Sequence, residues 1–164
     1  MFVKIRDMAK YDLNAVAIVE KGVFSSPWPL AAYESEIKKP TSICKVAACG
    51  DYIIGYMCVS TILDEAHLMK LAVHENFRRK GVARLLVTEV LDILHDKFSG
   101  ILLLEVRPSN LPALKLYEKF GFNKLYVRKR YYVTPDEDAL VMGLNINRVT
   151  PFKDHEPISS PLTF

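Results

Sequence analysis

The most constraining feature of this chain is a basic, glycine-containing loop between an apolar stretch and the longest amphipathic pattern it carries. Residues 66–73 (AHLMKLAV) read as a strand, and 74–80 as a polar loop with three consecutive cations, Arg78, Arg79 and Lys80. After Gly81, apolar side chains recur at 82, 86, 90, 93 and 94, the spacing of an amphipathic helix over 82–96. Ser99-Gly100 is a turn, and 101–106 (ILLLEV) is a nearly unbroken apolar run, which predicts a strand covered on both faces. Strand, helix and strand in that order predict two parallel strands joined by a right-handed crossover. A chain built around such a unit is confined to layered α/β architectures.

The flanking segments extend the same sheet. Residues 2–6 alternate like a strand, and 10–20 carry Leu13, Val16, Ala17 and Glu20 at helical spacing, with Gly22 as the expected helix end. Residues 24–29 (FSSPWP) form a turn, and 30–39 a second helix stopped by Pro40. Residues 42–48 and 52–62 are strands joined at Cys49-Gly50-Asp51. Residues 110–120 read as a helix closed by Gly121, followed by strands over 122–133 and 139–146 around an acidic turn, Pro135 to Asp138. The expectation is a single mixed, mostly antiparallel α/β sheet of about seven strands with helices on both faces. It occupies residues 1–146, and 147–164, with three prolines, form a loosely ordered tail.

Composition limits the function classes. At 164 residues, half of them hydrophobic, the chain makes one self-sufficient domain rather than a disordered segment. A net charge of +3 does not argue for nucleic acid, and no apolar run reaches the ~18–20 residues of a membrane span. The N-terminus lacks an apolar core of signal-peptide length. Cys44, Cys49 and Cys58 are odd in number and have no zinc spacing, so free thiols in a reducing cytoplasm and no metal are expected.

The loop itself predicts an anion. A helix start leaves about four backbone N–H groups without partners and carries the positive end of the dipole. Gly81 admits a ligand close to the backbone, Ala83 is nearly as small, and four cations lie within 78–84. Neither G-x-x-x-x-G-K-[ST] nor G-x-G-x-x-G is present, which argues against nucleotide-hydrolase and dinucleotide architectures.

These residues carry a resemblance. R-R-K-G-V-A at 78–83, after L-A-V at 71–73, resembles the Q/R-x-x-G-x-G/A motif of the GNAT acetyltransferase family, met by Arg78, Gly81 and Ala83. K-L-Y-E-K-F-G-F at 115–122 resembles that family's L-Y-x-x-x-G-F motif. L-E-V-R-P-S-N at 104–110, and Tyr131-Tyr132 followed by Glu137-Asp138-Ala139, resemble the narrower group of protein N-terminal acetyltransferases, bacterial ribosomal-protein-alanine enzymes among them. The resemblance covers residues 2–146. It implies the GNAT fold and acetyl-coenzyme A (acetyl-CoA) as cosubstrate. By it, Arg79, Lys80, Gly81, Val82, Ala83 and Arg84 hold the diphosphate, and Leu71, Ala72 and Val73 run beside the pantetheine. Asn110 touches the coenzyme while capping its helix. Phe24, Trp28, Glu105 and Tyr132 meet the substrate N-terminus. A protein or peptide N-terminus is then the partner, a ribosomal protein being one candidate, and an auxiliary subunit stays open.

The reaction so implied needs a neutral amine, stabilisation of the developing oxyanion and a proton for the departing thiolate. With reference pKa values near ~7.7–8.0 and ~10.4, roughly a tenth of α-amines but only about one lysine in 2,500 is neutral at pH 7, which favours N-terminal amines. Glu105 interrupts an apolar strand, so it needs a partner or a cavity. It is the candidate general base, with a structural pairing to Arg107 as the competing reading. His67 on the preceding strand is a second candidate base, sharing the role if the two face each other. Tyr117 is the candidate general acid. Adjacent strand residues point to opposite faces, so only one of Tyr131 and Tyr132 should meet substrate, and Tyr132 is chosen by resemblance. The Arg128-Lys129-Arg130 run reads as a solvated edge. Competing functions are acetylation of a small amine or a lysine side chain, a non-catalytic coenzyme A-binding regulator and, more distantly, a nucleic-acid module.

Overall fold

The computed structural model describes residues 1–147, so the tail from residue 148 on lies outside the described residues. The elements run β1 (Lys4–Asp7), α1 (Leu13–Val23), α2 (Leu30–Glu36), β2 (Ser42–Cys49), β3 (Tyr52–Ile62), β4 (Glu65–Val73), α3 (Val82–Lys97), β5 (Gly100–Val106), α4 (Leu111–Lys119), β6 (Asn123–Val133) and β7 (Asp136–Ile146). One seven-stranded sheet has the order β1-β2-β3-β4-β5-β7-β6. Only β4 and β5 pair in parallel. The mixed sheet expected from the sequence is therefore present, its parallel pair being the strands that flank α3.

Several boundaries move, each for a local reason. Gly22 does not end α1. The helix runs to Val23 because its buried stripe of Leu13, Val16, Val19 and Glu20 anchors it, and Phe24 then turns extended with its N–H on the Glu20 carbonyl. The second helix stops at Glu36 rather than at 39, and the Glu36 carboxylate accepts from Ser42 and Lys39 beyond it. The acidic turn is shorter than expected: β7 begins at Asp136, since Glu137 and Asp138 are satisfied by Ser109 and by the Arg130 N–H. The first strand begins at Lys4, not at residue 2.

Two apolar cores cover the sheet unequally. On one face α3 packs Val82, Leu86, Val90 and Leu94 with Tyr117 of α4 onto residues from most of the sheet, from Ala47 of β2 to Met142 of β7. On the other face, α1 and Tyr33 of α2 bury Cys44, Val46, Tyr56, Cys58 and Ala72, and this second core reaches no further than β4. On β5, Leu102, Leu104 and Val106 face the first core while Ile101, Leu103 and Glu105 stay half-buried. The expected strand covered on both faces is thus covered on one, because no helix of the second core reaches it.

The sheet opens at its centre. Cys58 of β3 pairs with Lys70 but Val59 pairs with Leu68, so Met69 is an extra residue on β4, a β-bulge. Pairing of β4 with β5 covers only Glu65↔Ile101, Ala66↔Leu102 and His67↔Leu103. Beyond that point β4 stays with β3 and β5 stays with β7 along its whole length. A wedge therefore separates Leu71, Ala72 and Val73 from Glu105 and Val106, and it widens from the bulge onward.

Candidate active site

The wedge leads to the start of α3. Gly81 is the N-cap, in the left-handed region at φ 81°, and Arg79 also has positive φ, 61°. The first helical bond is donated by Leu85 to the Gly81 carbonyl. The backbone N–H groups of Val82, Ala83 and Arg84, in the first turn after the Gly81 cap, have no partner within the helix. A row of unpaired donors at the positive end of a helix dipole is an anion site. Space is open where a side chain of residue 81 would stand. The side chains divide the work: Arg78 is held by the Val73 carbonyl (3.2 Å) and Lys80 by the Asn76 carbonyl (3.0 Å). Arg79 and Arg84 have no acidic partner among the described residues and are available to phosphate. Leu71, Ala72 and Val73 have lost β5 as a neighbour, so their free backbone edge can pair with an extended amide chain. Unpaired donors, open space and a free strand edge fit a diphosphate joined to a pantetheine.

On the far side of the wedge, Glu105 pairs with Arg128 of β6, Nη1 to Oε1 3.4 Å, and not with Arg107. Arg107 instead donates to the carbonyls of Pro135 (2.8 Å) and Thr134 (3.2 Å), pairs with Glu137, and lies 4.0 Å above the Tyr132 ring. Glu137 also accepts from the Ser109 N–H and hydroxyl, which hold its carboxyl below the ordinary range. The β6–β7 hairpin is thus pinned to the loop before α4, with Tyr132 fixed beneath a guanidinium. Burial, opposed by Arg107, pushes the Tyr132 hydroxyl up to about 12. Tyr131 and Tyr132 do not point to opposite faces. Their ring centroids lie 5.0 Å apart, edge to face, because β6 slips register between Arg128 and Tyr132, with Arg130 at φ 50°. The basic run does lie on the exposed edge strand β6, where Arg128 pairs with Glu105 and Lys129 with Asp138 at 2.9 Å.

His67 lies on the same sheet face as Glu105, since Ala66 and Leu68 face the first core. Its partner is Glu65 (Nε2 to Oε2, 3.1 Å), and no His67–Glu105 bond exists among the described residues. Past the bulge, Lys70 shares this face and reaches Glu20 of α1 at 2.9 Å, both side chains being nearly or fully buried. Glu20 also accepts from the Trp28 N–H (2.9 Å) and the Tyr33 hydroxyl (2.6 Å), and Tyr33 contacts the Tyr56 hydroxyl at 2.9 Å. The ammonium of Lys70 sits 4.0 Å from the Phe24 ring centre and 5.3 Å from that of Trp28. Phe24 and Trp28 therefore cage an internal cation and rest partly on the second core. Across the groove, the Ser25 hydroxyl donates to the Thr134 carbonyl (2.8 Å), tying the α1–α2 loop to the β6–β7 hairpin.

Tyr117 of α4 is packed against Phe122 and almost wholly buried. Burial, then Tyr132, pushes its hydroxyl far above the usual phenol range. Its hydroxyl has no hydrogen-bond partner among the described residues, yet no buried side-chain oxygen is left unsatisfied there, so it opens at the surface of its pocket. Asn110 caps α4, accepting from the Ala113 N–H at 3.3 Å. Tyr132 is felt electrostatically at Tyr117, and Glu105 at Tyr132, which places the three side chains in one neighbourhood. The structure brings together Glu105, Tyr117 and Tyr132, and separately the caging pair Phe24 and Trp28. Sequence reasoning missed Lys70, Tyr33 and Tyr56, and read Arg128 only as part of a basic edge, without its pairing to Glu105. A lysine inside an apolar strand and a glutamate on an apolar helix stripe were the signals for the Lys70–Glu20 pair.

A loop that fits a diphosphate at a split sheet, with a carboxylate and a phenol beside it, suits an acyl-coenzyme A-dependent transferase. Residues 13–122 match the acetyltransferase (GNAT) family, and the chain belongs to that family, with acetyl-CoA as cosubstrate. It is similar to the [ribosomal protein bS18]-alanine N-acetyltransferase of Salmonella typhimurium, 34% identical over 138 residues, 83% of this chain and 93% of that one. The enzyme of that description from Escherichia coli K12 is 32% identical over 145 residues, covering 87% of this chain and 97% of the relative. The crystal structure of the ribosomal-protein-S18-alanine N-acetyltransferase from Escherichia coli superposes with a TM-score of 0.82 at 28% identity, covering 94% of this chain and 99% of that one.

Proposed function

We propose that this enzyme transfers acetyl from acetyl-CoA to the N-terminal α-amine of a protein, with a ribosomal protein beginning with alanine as the substrate class its relatives indicate. The observation that carries the reading is Glu105, a carboxylate on the uncovered face of β5 where β4 has parted from it. The donor loop 79–84 holds the diphosphate, and Leu71, Ala72 and Val73 align the pantetheine, so that the acetyl thioester supplies its electrophilic carbonyl near the vertex of the wedge. Glu105 removes one proton from the substrate ammonium, and the freed nitrogen lone pair forms the new N–C bond as the C–S bond breaks. Tyr117 gives its proton to the leaving sulfur, and the second proton of the amide nitrogen restores the Tyr117 hydroxyl, directly or through water. The raised pKa of Tyr117 keeps the proton in place at neutral pH and makes transfer follow bond cleavage rather than precede it. Tyr132 and the α1–α2 loop with Trp28 flank the incoming peptide, while Asn110 orders the start of α4 next to the coenzyme.

Direct attack in a ternary complex is supported by where the thiols lie. Cys44 and Cys58 are buried opposite each other on β2 and β3, and Cys58 is held well above the ordinary thiol range by its bond to Cys44 and by burial. Free thiols also support a cytoplasmic setting. Among the described residues no helix is long and apolar enough to cross a membrane. A peptide-library acetylation assay read by mass spectrometry tests the reading. Acetyl is expected on α-amines of alanine-terminal peptides. Transfer confined to lysine side chains, or none to any peptide, overturns it.

A further inference from the structure

Among the described residues Arg128 is the one ion-pair partner of the Glu105 carboxylate, and its place explains more than charge balance. Glu105 stands on a half-buried strand face, where an unpaired carboxylate is costly whenever no substrate is present. Arg128 reaches it from the edge strand β6, with 45% of its side chain exposed. The guanidinium has other neighbours on its outer side. It lies 5.7 Å from the Tyr131 ring centre, and the Tyr126 hydroxyl, with Glu105, holds its charged form above the ordinary range. Leaving Glu105 would therefore return it to water, a phenol and an aromatic face.

We propose that Arg128 is a placeholder for the substrate α-ammonium: it neutralises Glu105 in the free enzyme, yields to the amine on binding, and returns once acetylation has removed the charge. This positioning role rests on the reading that Glu105 receives the amine. Exchange of one cation for another spares Glu105 an unpaired state in every step of the cycle. The acetylated N-terminus is a neutral amide with nothing to offer the carboxylate, so the return of Arg128 favours product over substrate in leaving. An exposed pair at this distance is weak enough to be displaced.

The test compares a free-amine peptide with its N-acetylated form, by steady-state kinetics and by equilibrium binding to the coenzyme A-loaded enzyme. Arg128→Gln should lower KM and Kd for the free-amine peptide by about three- to tenfold, with kcat close to wild type and affinity for the acetylated peptide unchanged. Arg128→Lys, which keeps a cation, should stay near wild type. In a Glu105→Gln background, Arg128→Gln should no longer change peptide affinity. Unchanged or weakened binding of the free-amine peptide in Arg128→Gln overturns the placeholder, as does an equal effect on both peptides. The binding arm reads the result even where turnover is lost. A wild-type enzyme that neither binds nor acetylates free-amine peptides overturns the functional reading instead.

Discussion

At the scale of single residues, burial separates the proposed proton acceptor from the proposed proton donor. Glu105 sits on a half-buried face with a guanidinium beside it, while Tyr117 is packed among apolar side chains that hold its proton on. The phenol is thus kept in the form a general acid needs, and its hydroxyl is spent on no other bond among the described residues. Tyr117→Phe removes only that oxygen and preserves the packing on Phe122. Turnover should fall by about 10²–10⁴-fold with little change in acetyl-CoA affinity, measured by stopped assay and calorimetry. Turnover equal to wild type would take Tyr117 out of the chemistry. The buried Lys70–Glu20 pair has a different character: its two charges satisfy each other and the surrounding hydroxyls, so it serves as a braced wall behind Phe24 and Trp28.

At the scale of elements, one extra residue governs the site. Met69 bulges β4 away from its regular course, and the pairing with β5 ends two residues before it, at His67. The junction that brings β4 and β5 together at their paired end is tight. Gly100 has φ 154°, the Ile101 N–H donates to the Asp64 carbonyl at 2.9 Å, and a Cβ on Gly100 would collide with the Asp64 backbone. Gly100→Ala should therefore destabilise the fold by about 2–4 kcal/mol, seen as a lower denaturant midpoint at unchanged slope. A midpoint equal to wild type would mean that the junction relaxes freely. Loss of acetyl-CoA affinity should accompany the destabilisation, because the paired end sets the angle at which the wedge opens.

At the scale of the whole molecule, the sheet is covered by two cores of unequal reach, and the proposed site occupies the part that only one of them covers. Binding across the split joins β4, the start of α3 and β5, so the cosubstrate should stabilise the entire domain. At a concentration about 100 times Kd, binding adds ~2.7 kcal/mol, which for a chain of this size raises Tm by about 5–10 °C. Gly81→Glu places a negative side chain at a left-handed position inside the donor loop and should abolish that rise. A full thermal shift in the variant would place the coenzyme elsewhere.

What the sequence determined alone is everything set by local chemistry. The basic loop and Gly81, the β-rich runs of β2 and β3 joined at Cys49-Gly50-Asp51, the Asn110 cap and the left-handed Gly121 depend on neighbours within a few residues, and each stands where the sequence predicted. Helix ends were less legible: Gly22 looks like a stop, but burial of the α1 stripe outweighs its preference. Partnerships were decided only by the tertiary structure. In one dimension Arg107 is the mate that stands out for Glu105, yet the slipped register of β6 delivers Arg128 while the β6–β7 hairpin takes Arg107. That slip also turned two neighbouring tyrosines toward each other. Lys70 found Glu20 because the bulge at Met69 reversed which residues of β4 face α1. Periodicity tells each strand residue its face only while the register is unbroken, and this active site is built where the register breaks.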